Sequence, residues 1–149
     1  MYPLNLPTFD VKIRKRENGV EIFDPLRRKY VSMTPEEWVR QHFVHYLISE
    51  KGYPASLMAN ETTIKLNTLT KRCDTVVYNN QLEPLVICEF KKPDVEITQS
   101  VFDQIVRYNI VLKVKYLIVS NGMSHYCCKM NYDDMTFDYL LEIPEYGGL

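Results

Sequence analysis

The chain has 149 residues, of which 46% are hydrophobic, 25% charged and 12% aromatic, and its 18 Lys+Arg stand against 19 Asp+Glu for a formal net charge of -1. That length suits one domain around one core. The composition excludes a disordered polymer, a collagen-like chain and a disulfide-dense miniprotein, and the near-neutral total argues against a strongly basic coat protein. The charges are unevenly placed. Residues 1–34 carry seven basic side chains against four acids, whereas residues 131–149 hold five acids and neither Lys nor Arg.

In chain order, Met1-Tyr2-Pro3-Leu4-Asn5-Leu6-Pro7 lacks the basic start and apolar run of a signal peptide. Val20–Phe23 and Lys29–Met33 flank Asp24-Pro25-Leu26-Arg27-Arg28 and predict a small hairpin. A helix starts at Thr34, with Pro35 in its first turn and Glu37 at capping-box distance. Val39, Phe43 and Leu47 give its buried stripe, and Gly52 followed by Pro54 ends it. Residues 61–66, 72–78 and 84–90 predict strands, the last two joined by a hairpin-length loop at 79–83. Residues 98–112 return to helical period, 115–120 predict a strand buried on both faces, Asn121-Gly122 a turn and 125–130 a last strand. The expectation is an α/β fold in the broad sense, a mixed sheet flanked by helices. It forms a single domain over 1–149, with a basic N-terminal hairpin extension (1–33), a core (34–130) and an acidic C-terminal tail (131–149).

No apolar stretch approaches the roughly 20 residues that span a bilayer. Cys73, Cys88, Cys127 and Cys128 show no Cys-x-x-Cys spacing. They predict buried, reduced thiols rather than zinc ligands, and a cytoplasmic location. His42 and His45 are three apart on the first helix but lack a third ligand, so they are expected to be surface or packing residues rather than metal ligands.

The chemistry lies in the hairpin. Asp74 and Glu89 are placed symmetrically about its loop, so they should face each other with Cβ atoms roughly 5 Å apart. Lys91, two residues on, shares the face of Glu89. Two carboxylates in contact repel by about 1 kcal/mol even in water, and a cation relieves this. Oxygen donors select Mg²⁺ or Mn²⁺. Such an ion with a neighbouring ammonium is the apparatus of phosphodiester hydrolysis. An edge-strand ion pair between Glu89 and Lys91 is the plainer alternative.

Asp74 followed by Glu89-Phe90-Lys91 resembles the core motif of the PD-(D/E)XK nuclease superfamily. Thr34–Gln41, Lys71–Asp74, Glu89–Pro93, Gln104–Asn109 and Ser120–Gly122 together resemble the nuclease domain at the N-terminus of type I restriction enzyme R subunits. The resemblance covers about residues 20–130, although the proline that names the superfamily is absent before Asp74. It implies a restriction-endonuclease-like core in which Asp74, Glu89 and the Phe90 carbonyl bind metal and Lys91 is the catalytic lysine. Glu36 would be the catalytic-site acidic residue on the first helix, which often holds a metal-bound water, with Glu37 competing for that role. Gln104 and Tyr108, with Arg72 and Lys92, form the expected substrate rim.

The expected activity is a Mg²⁺- or Mn²⁺-dependent DNA endonuclease linked to restriction. The alternative is a non-catalytic module that binds nucleic acid or a partner on the same fold. No helicase motor accompanies these motifs, so the chain either acts alone, a homodimer being the simplest way to cut both strands, or serves helicase and methyltransferase subunits encoded separately. The basic run Lys12, Arg14, Lys15, Arg16, Arg27, Arg28 and Lys29 could hold phosphates if it lay beside the acid pair.

Overall fold

The computed structural model describes residues 2–149. Its first sheet is three-stranded and antiparallel, formed by β1 (Ile13–Arg16), β2 (Gly19–Asp24) and β3 (Lys29–Ser32) in that order. The β2–β3 pair is the expected hairpin, and β1 is an addition. Its charges read as a solvated run because their partner lies on the next strand. Arg14 Nε donates to Glu21 Oε1 at 2.7 Å and Arg16 Nε to the same oxygen at 3.3 Å.

Helix α1 (Pro35–Glu50) follows. Thr34 Oγ1 accepts the Glu37 N–H at 3.0 Å, which satisfies one free donor of the first turn. The return half of the capping box does not form, because the Glu37 carboxylate is spent on Arg27 and Gln41. At the other end Gly52 adopts φ 71°, a left-handed turn that glycine makes without steric cost, and the Tyr53 N–H reaches back to the Leu47 carbonyl.

The second sheet has six strands whose spatial order is the chain order: β4 (Met58–Leu66), β5 (Leu69–Tyr78), β6 (Pro84–Phe90), β7 (Tyr116–Ser120), β8 (His125–Asn131) and β9 (Thr136–Leu140). Neighbours are antiparallel except β6 and β7, which run parallel and are joined through helix α2 (Gln99–Ile110), as a parallel pair needs a long crossover. Strands β4 and β5 are longer than their apolar runs suggest. They close through Asn67 at φ 56°, a residue type that tolerates the left-handed region.

The two helices cover opposite faces. Val39, Phe43 and Leu47 of α1 pack on Val86, Cys88, Phe90 and Ile118. Phe102, Ile105 and Val106 of α2 pack on Val76, Ile87, Leu117 and Val119. Strand alternation therefore directs Glu89, two residues after Ile87, to the α2 face. Every residue of β7 is buried, as its continuous apolar run predicts. All four cysteines are free and buried. Among the described residues no helix is long and apolar enough to cross a membrane.

Residues 131–149 are packed, which corrects the expectation of an acidic tail. Strand β9 pairs with β8, Ile143 is buried, and the Tyr146 N–H donates to the Lys51 carbonyl at 2.9 Å. The five acids of this segment are exposed while Phe137, Leu140, Ile143 and Tyr146 turn inward. Alternation with charge hid a half-buried edge strand.

A polar chain binds the small sheet to the large one. Asp24 is fully buried and accepts from the Leu26 N–H (2.8 Å), from Arg27, and from Asn60 Nδ2 (2.9 Å). Asn60 Oδ1 in turn accepts from Thr75 Oγ1 at 2.6 Å. Burial alone would push the Asp24 carboxyl up, but the hydrogen bonds from Asn60 and Arg27 outweigh it and hold it below its usual range. This contribution to stability is therefore complete above the ordinary carboxylate value and is lost as pH falls through the depressed folded value. Urea unfolding followed from pH 7 to pH 3 should show an acid limb that D24N flattens. D24A, which leaves Arg27 only Glu37 and strips the buried Asn60 amide of its acceptor, should cost about 3 kcal/mol at pH 7.

Candidate active site

The β5–β6 register pairs Thr75 with Cys88, Val76 with Ile87 and Val77 with Val86, which places Asp74 opposite Glu89. The ladder stops at that point. The Asp74 carboxylate, rather than a backbone carbonyl, takes the Phe90 N–H at 2.8 Å. Asp74 is thus drawn across to β6, beside Glu89. Burial, reinforced by the Asp74 carboxylate, pushes the Glu89 carboxyl up to about 8; the Lys91 ammonium and the Asn109 amide only partly offset this.

Lys91 leaves the end of β6 with its N–H bonded to the Ser120 carbonyl at 2.9 Å. The loop beyond it is tied down by Asn121, whose Nδ2 donates to the Val95 carbonyl at 2.8 Å. Asn121 is therefore more than a turn former. Glu89 and Lys91 open onto a cavity of about 380 Å³ whose other walls are Gln104, Ile105, Tyr108 and Asn109 of α2. Gln104 and Tyr108 project from the exposed side of the helix, and Tyr108 is 54% exposed, so it is a rim residue rather than a core one.

The other expected residues lie elsewhere. Arg72 donates to Glu61 Oε2 at 2.7 Å, and Lys92 is exposed. Glu36 is exposed on the first turn of α1, the helix that covers the face opposite Glu89. Its rival Glu37 is buried, accepting from Arg27 Nη2 at 2.7 Å and from Gln41 Nε2 at 2.9 Å. The structure brings neither acid to the pair. Three of the seven residues of the basic N-terminal run are committed to ion pairs: Arg27 serves Asp24 and Glu37, and Arg14 and Arg16 serve Glu21. Of the two places expected for His42 and His45, surface or packing, the structure gives packing: His42 against the Trp38 carbonyl and ring, and His45 stacked on Phe9.

Two site residues escape the motif reading. Lys71 packs on the Tyr108 ring and carbonyl, and desolvation holds its ammonium below the usual value although Cys73 and Glu89 pull the other way. Asn109 is 3% exposed; its Nδ2 donates to the Ile105 carbonyl at 2.8 Å, its Oδ1 has no partner, and its amide approaches Glu89. The available signal was positional. Lys71 precedes Arg72-Cys73-Asp74, and Asn109 directly follows Tyr108.

With the geometry in place, comparison decides the family. Residues 35–144 match the family described as "Type I restriction enzyme R protein N terminus". The chain belongs to this family. In fold it is similar to a fragment solved for a protein described as an HsdR subunit of a type I restriction enzyme from Vibrio vulnificus YJ016, at a TM-score of 0.51 and 17% identity. That match covers 75% of this chain but 24% of the other, so the chain spans about a quarter of that structure's length. No curated protein matches the sequence.

Whether a family member built this way could hold a divalent cation is tested by its donors. The Lys91 N–H points to β7, so backbone alternation turns both the N–H and the carbonyl of Phe90 toward Asp74. Asp74, Glu89 and that carbonyl are hard oxygen donors, which fit Mg²⁺ or Mn²⁺. Among the described residues no group of three or more His, Cys, Asp or Glu gathers to hold a metal. A cation here would complete its shell with waters, as Mg²⁺ commonly does.

The raised Glu89 carboxyl has a readable consequence without any cation. Folding takes up a proton in the interval between the ordinary glutamate value and about 8, so this group makes stability fall as pH rises through that interval. Infrared titration of the metal-free chain should find a carboxyl that deprotonates well above the usual range, and D74N should move it down. A Glu89 that titrates normally in both forms would show that the two carboxyls are not coupled.

Proposed function

We propose that the chain is a metal-dependent nuclease module that hydrolyses phosphodiester bonds in DNA. The observation that carries this reading is that Glu89 and Lys91 open onto one cavity while Asp74 is held beside Glu89, at the point where the β5–β6 ladder gives way to a side chain. Membership in the R-protein N-terminal family supports a role in restriction and suggests DNA as the substrate.

In this reading Asp74, Glu89 and the Phe90 carbonyl hold Mg²⁺ or Mn²⁺. The ion, when bound, supplies polarisation of a phosphate oxygen and acidification of a water. The Lys91 ammonium stabilises the negative charge that builds at phosphorus, from a position fixed by its own backbone bond to β7. Gln104 and Tyr108 orient the substrate from the α2 rim, and Lys71 adds a second cation beside Tyr108. Lys92 and the free side chains of the N-terminal sheet, Lys15, Arg28 and Lys29, are exposed and available to neighbouring phosphates. The helicase and methyltransferase subunits of a restriction complex are the proposed partners.

The test is a cleavage assay on plasmid and single-stranded DNA with Mg²⁺ or Mn²⁺. K91A should lower the rate by about 10²–10³-fold while leaving Mn²⁺ binding in place. E89A and D74A should remove both cleavage and calorimetric Mn²⁺ binding. Cleavage that is equal in the wild type and all three variants would refute the assignment.

One observation favours a second reading, a binding module without catalysis: Glu36 stands exposed and Glu37 is held in ion pairs, so α1 supplies no acid to the pair. A wild-type chain that binds DNA but neither Mn²⁺ nor Mg²⁺ would decide for it.

A further inference from the structure

What α1 sends toward Asp74 is a guanidinium. Arg40 is 7% exposed, and its Nη1 donates to the main-chain carbonyl of Asp74 at 2.5 Å. Its Nη2 donates to Glu61 Oε1 at 2.6 Å, and its Nε lies 3.1 Å from Glu37 Oε2 without a well-formed hydrogen bond. Helix α1 and the two strands of the β4–β5 hairpin therefore meet on one side chain.

Glu61 is unusual in its own right. It adopts φ 52° inside β4, a left-handed conformation that residues with a Cβ avoid. Strands β4 and β5 pair on both sides of it, Asn60 with Thr75 and Thr62 with Cys73, but Glu61 and Asp74 themselves do not pair. Where a sheet would place a backbone bond, the structure has the Asp74 carbonyl on Arg40 and the Glu61 carboxylate bridging Arg40 and Arg72. An unfavourable backbone conformation persists where surrounding contacts over-determine it, and such positions cluster at functional sites.

We infer that Arg40, held by Glu61, is a positioning residue: it fixes the Asp74 main chain so that the carboxylate crosses to the Phe90 N–H and stands beside Glu89. This rests on the nuclease reading only for the use to which the fixed carboxylate is put. The geometry gives Asp74 two grips, Arg40 on its carbonyl and the Phe90 amide on its side chain. Losing the first should loosen the second. Lysine should not substitute, because it lacks the planar fork that reaches the Asp74 carbonyl and Glu61 at once.

The readout is amide exchange at Phe90, followed by NMR in the metal-free chain and normalised to the core amides of Val86 and Ile118. R40M and R40K should each speed exchange at Phe90 at least about tenfold while the core amides keep their protection; R40K retains a positive charge for Glu37 and Glu61 and so decides the matter if R40M fails to fold. R72M, which removes only the exposed partner of Glu61, should leave Phe90 protected. In parallel, R40K should weaken Mn²⁺ binding by about 10–100-fold, the usual effect of losing a residue that orients a ligand. If Phe90 stays as protected in R40K as in the wild type, the inference is wrong, whatever the metal result. If the wild type binds no Mn²⁺, the nuclease reading falls, while exchange at Phe90 still decides the role of Arg40.

Discussion

One backbone amide sets the geometry of the whole site. In an uninterrupted hairpin the Phe90 N–H would bond to a carbonyl of β5, and the Asp74 side chain would simply stand above the sheet. Instead the carboxylate replaces the carbonyl as acceptor. That substitution ends the ladder and brings Asp74 against Glu89, on the side to which backbone alternation already turns the Phe90 carbonyl. A hydrogen bond to a charged acceptor is shorter and stronger than one between neutral groups, so the break is itself a stable arrangement. It also adds the Asp74 charge to the burial that raises the Glu89 carboxyl, and it gathers the oxygen donors beside Lys91, which its own bond to Ser120 holds in place.

Such a break needs support on the side away from β6, and there the chain uses charge. Asp24, Arg27, Glu37, Arg40, Glu61 and Arg72 form a continuous series of ion pairs from the small sheet through α1 to β4 and β5. Exposed pairs of this kind contribute little. These are different at their centre, where Asp24, Glu37 and Arg40 are buried. Their worth lies less in added stability than in fixing one arrangement, since a buried charge tolerates few alternatives to its partner. The N-terminal sheet thus acts as an anchor for the hairpin, through Asp24 and Arg27.

The local features were legible. Strand β6 has the bounds its apolar run announced, the Thr34 cap is where Pro35 and Glu37 placed it, and counting outward from the 79–83 loop set Asp74 opposite Glu89. These depend on period and turn chemistry, which the sequence displays directly. Arg40 and Glu61 were invisible for the opposite reason. Their bonds join positions 21 and 34 residues apart, and nothing periodic marks them. The helix acid shows the same limit: Glu37 has the spacing of a capping residue, but a half-buried Arg27 ten residues upstream outcompetes the backbone for its carboxylate. Strand β1 was missed because Ile13 is followed by three consecutive basic residues, and β9 because it mixes charge with modest apolar residues; solvated segments and edge strands share both patterns.

Helix α2 does two jobs that the fold assigns to different sides of it. As the crossover that lets β6 and β7 run parallel, it is topologically indispensable, and Phe102, Ile105 and Val106 hold it to the sheet. Its outward side, with Gln104 and Tyr108, carries no share of that burden. Descendants of this chain are therefore free to diversify at those outward positions, and with them whatever they touch, without eroding the scaffold. Insertions or deletions within the helix would rotate the rim off the cavity and the apolar stripe off the core together, so substitution is the evolutionary route open to it and change of length is closed.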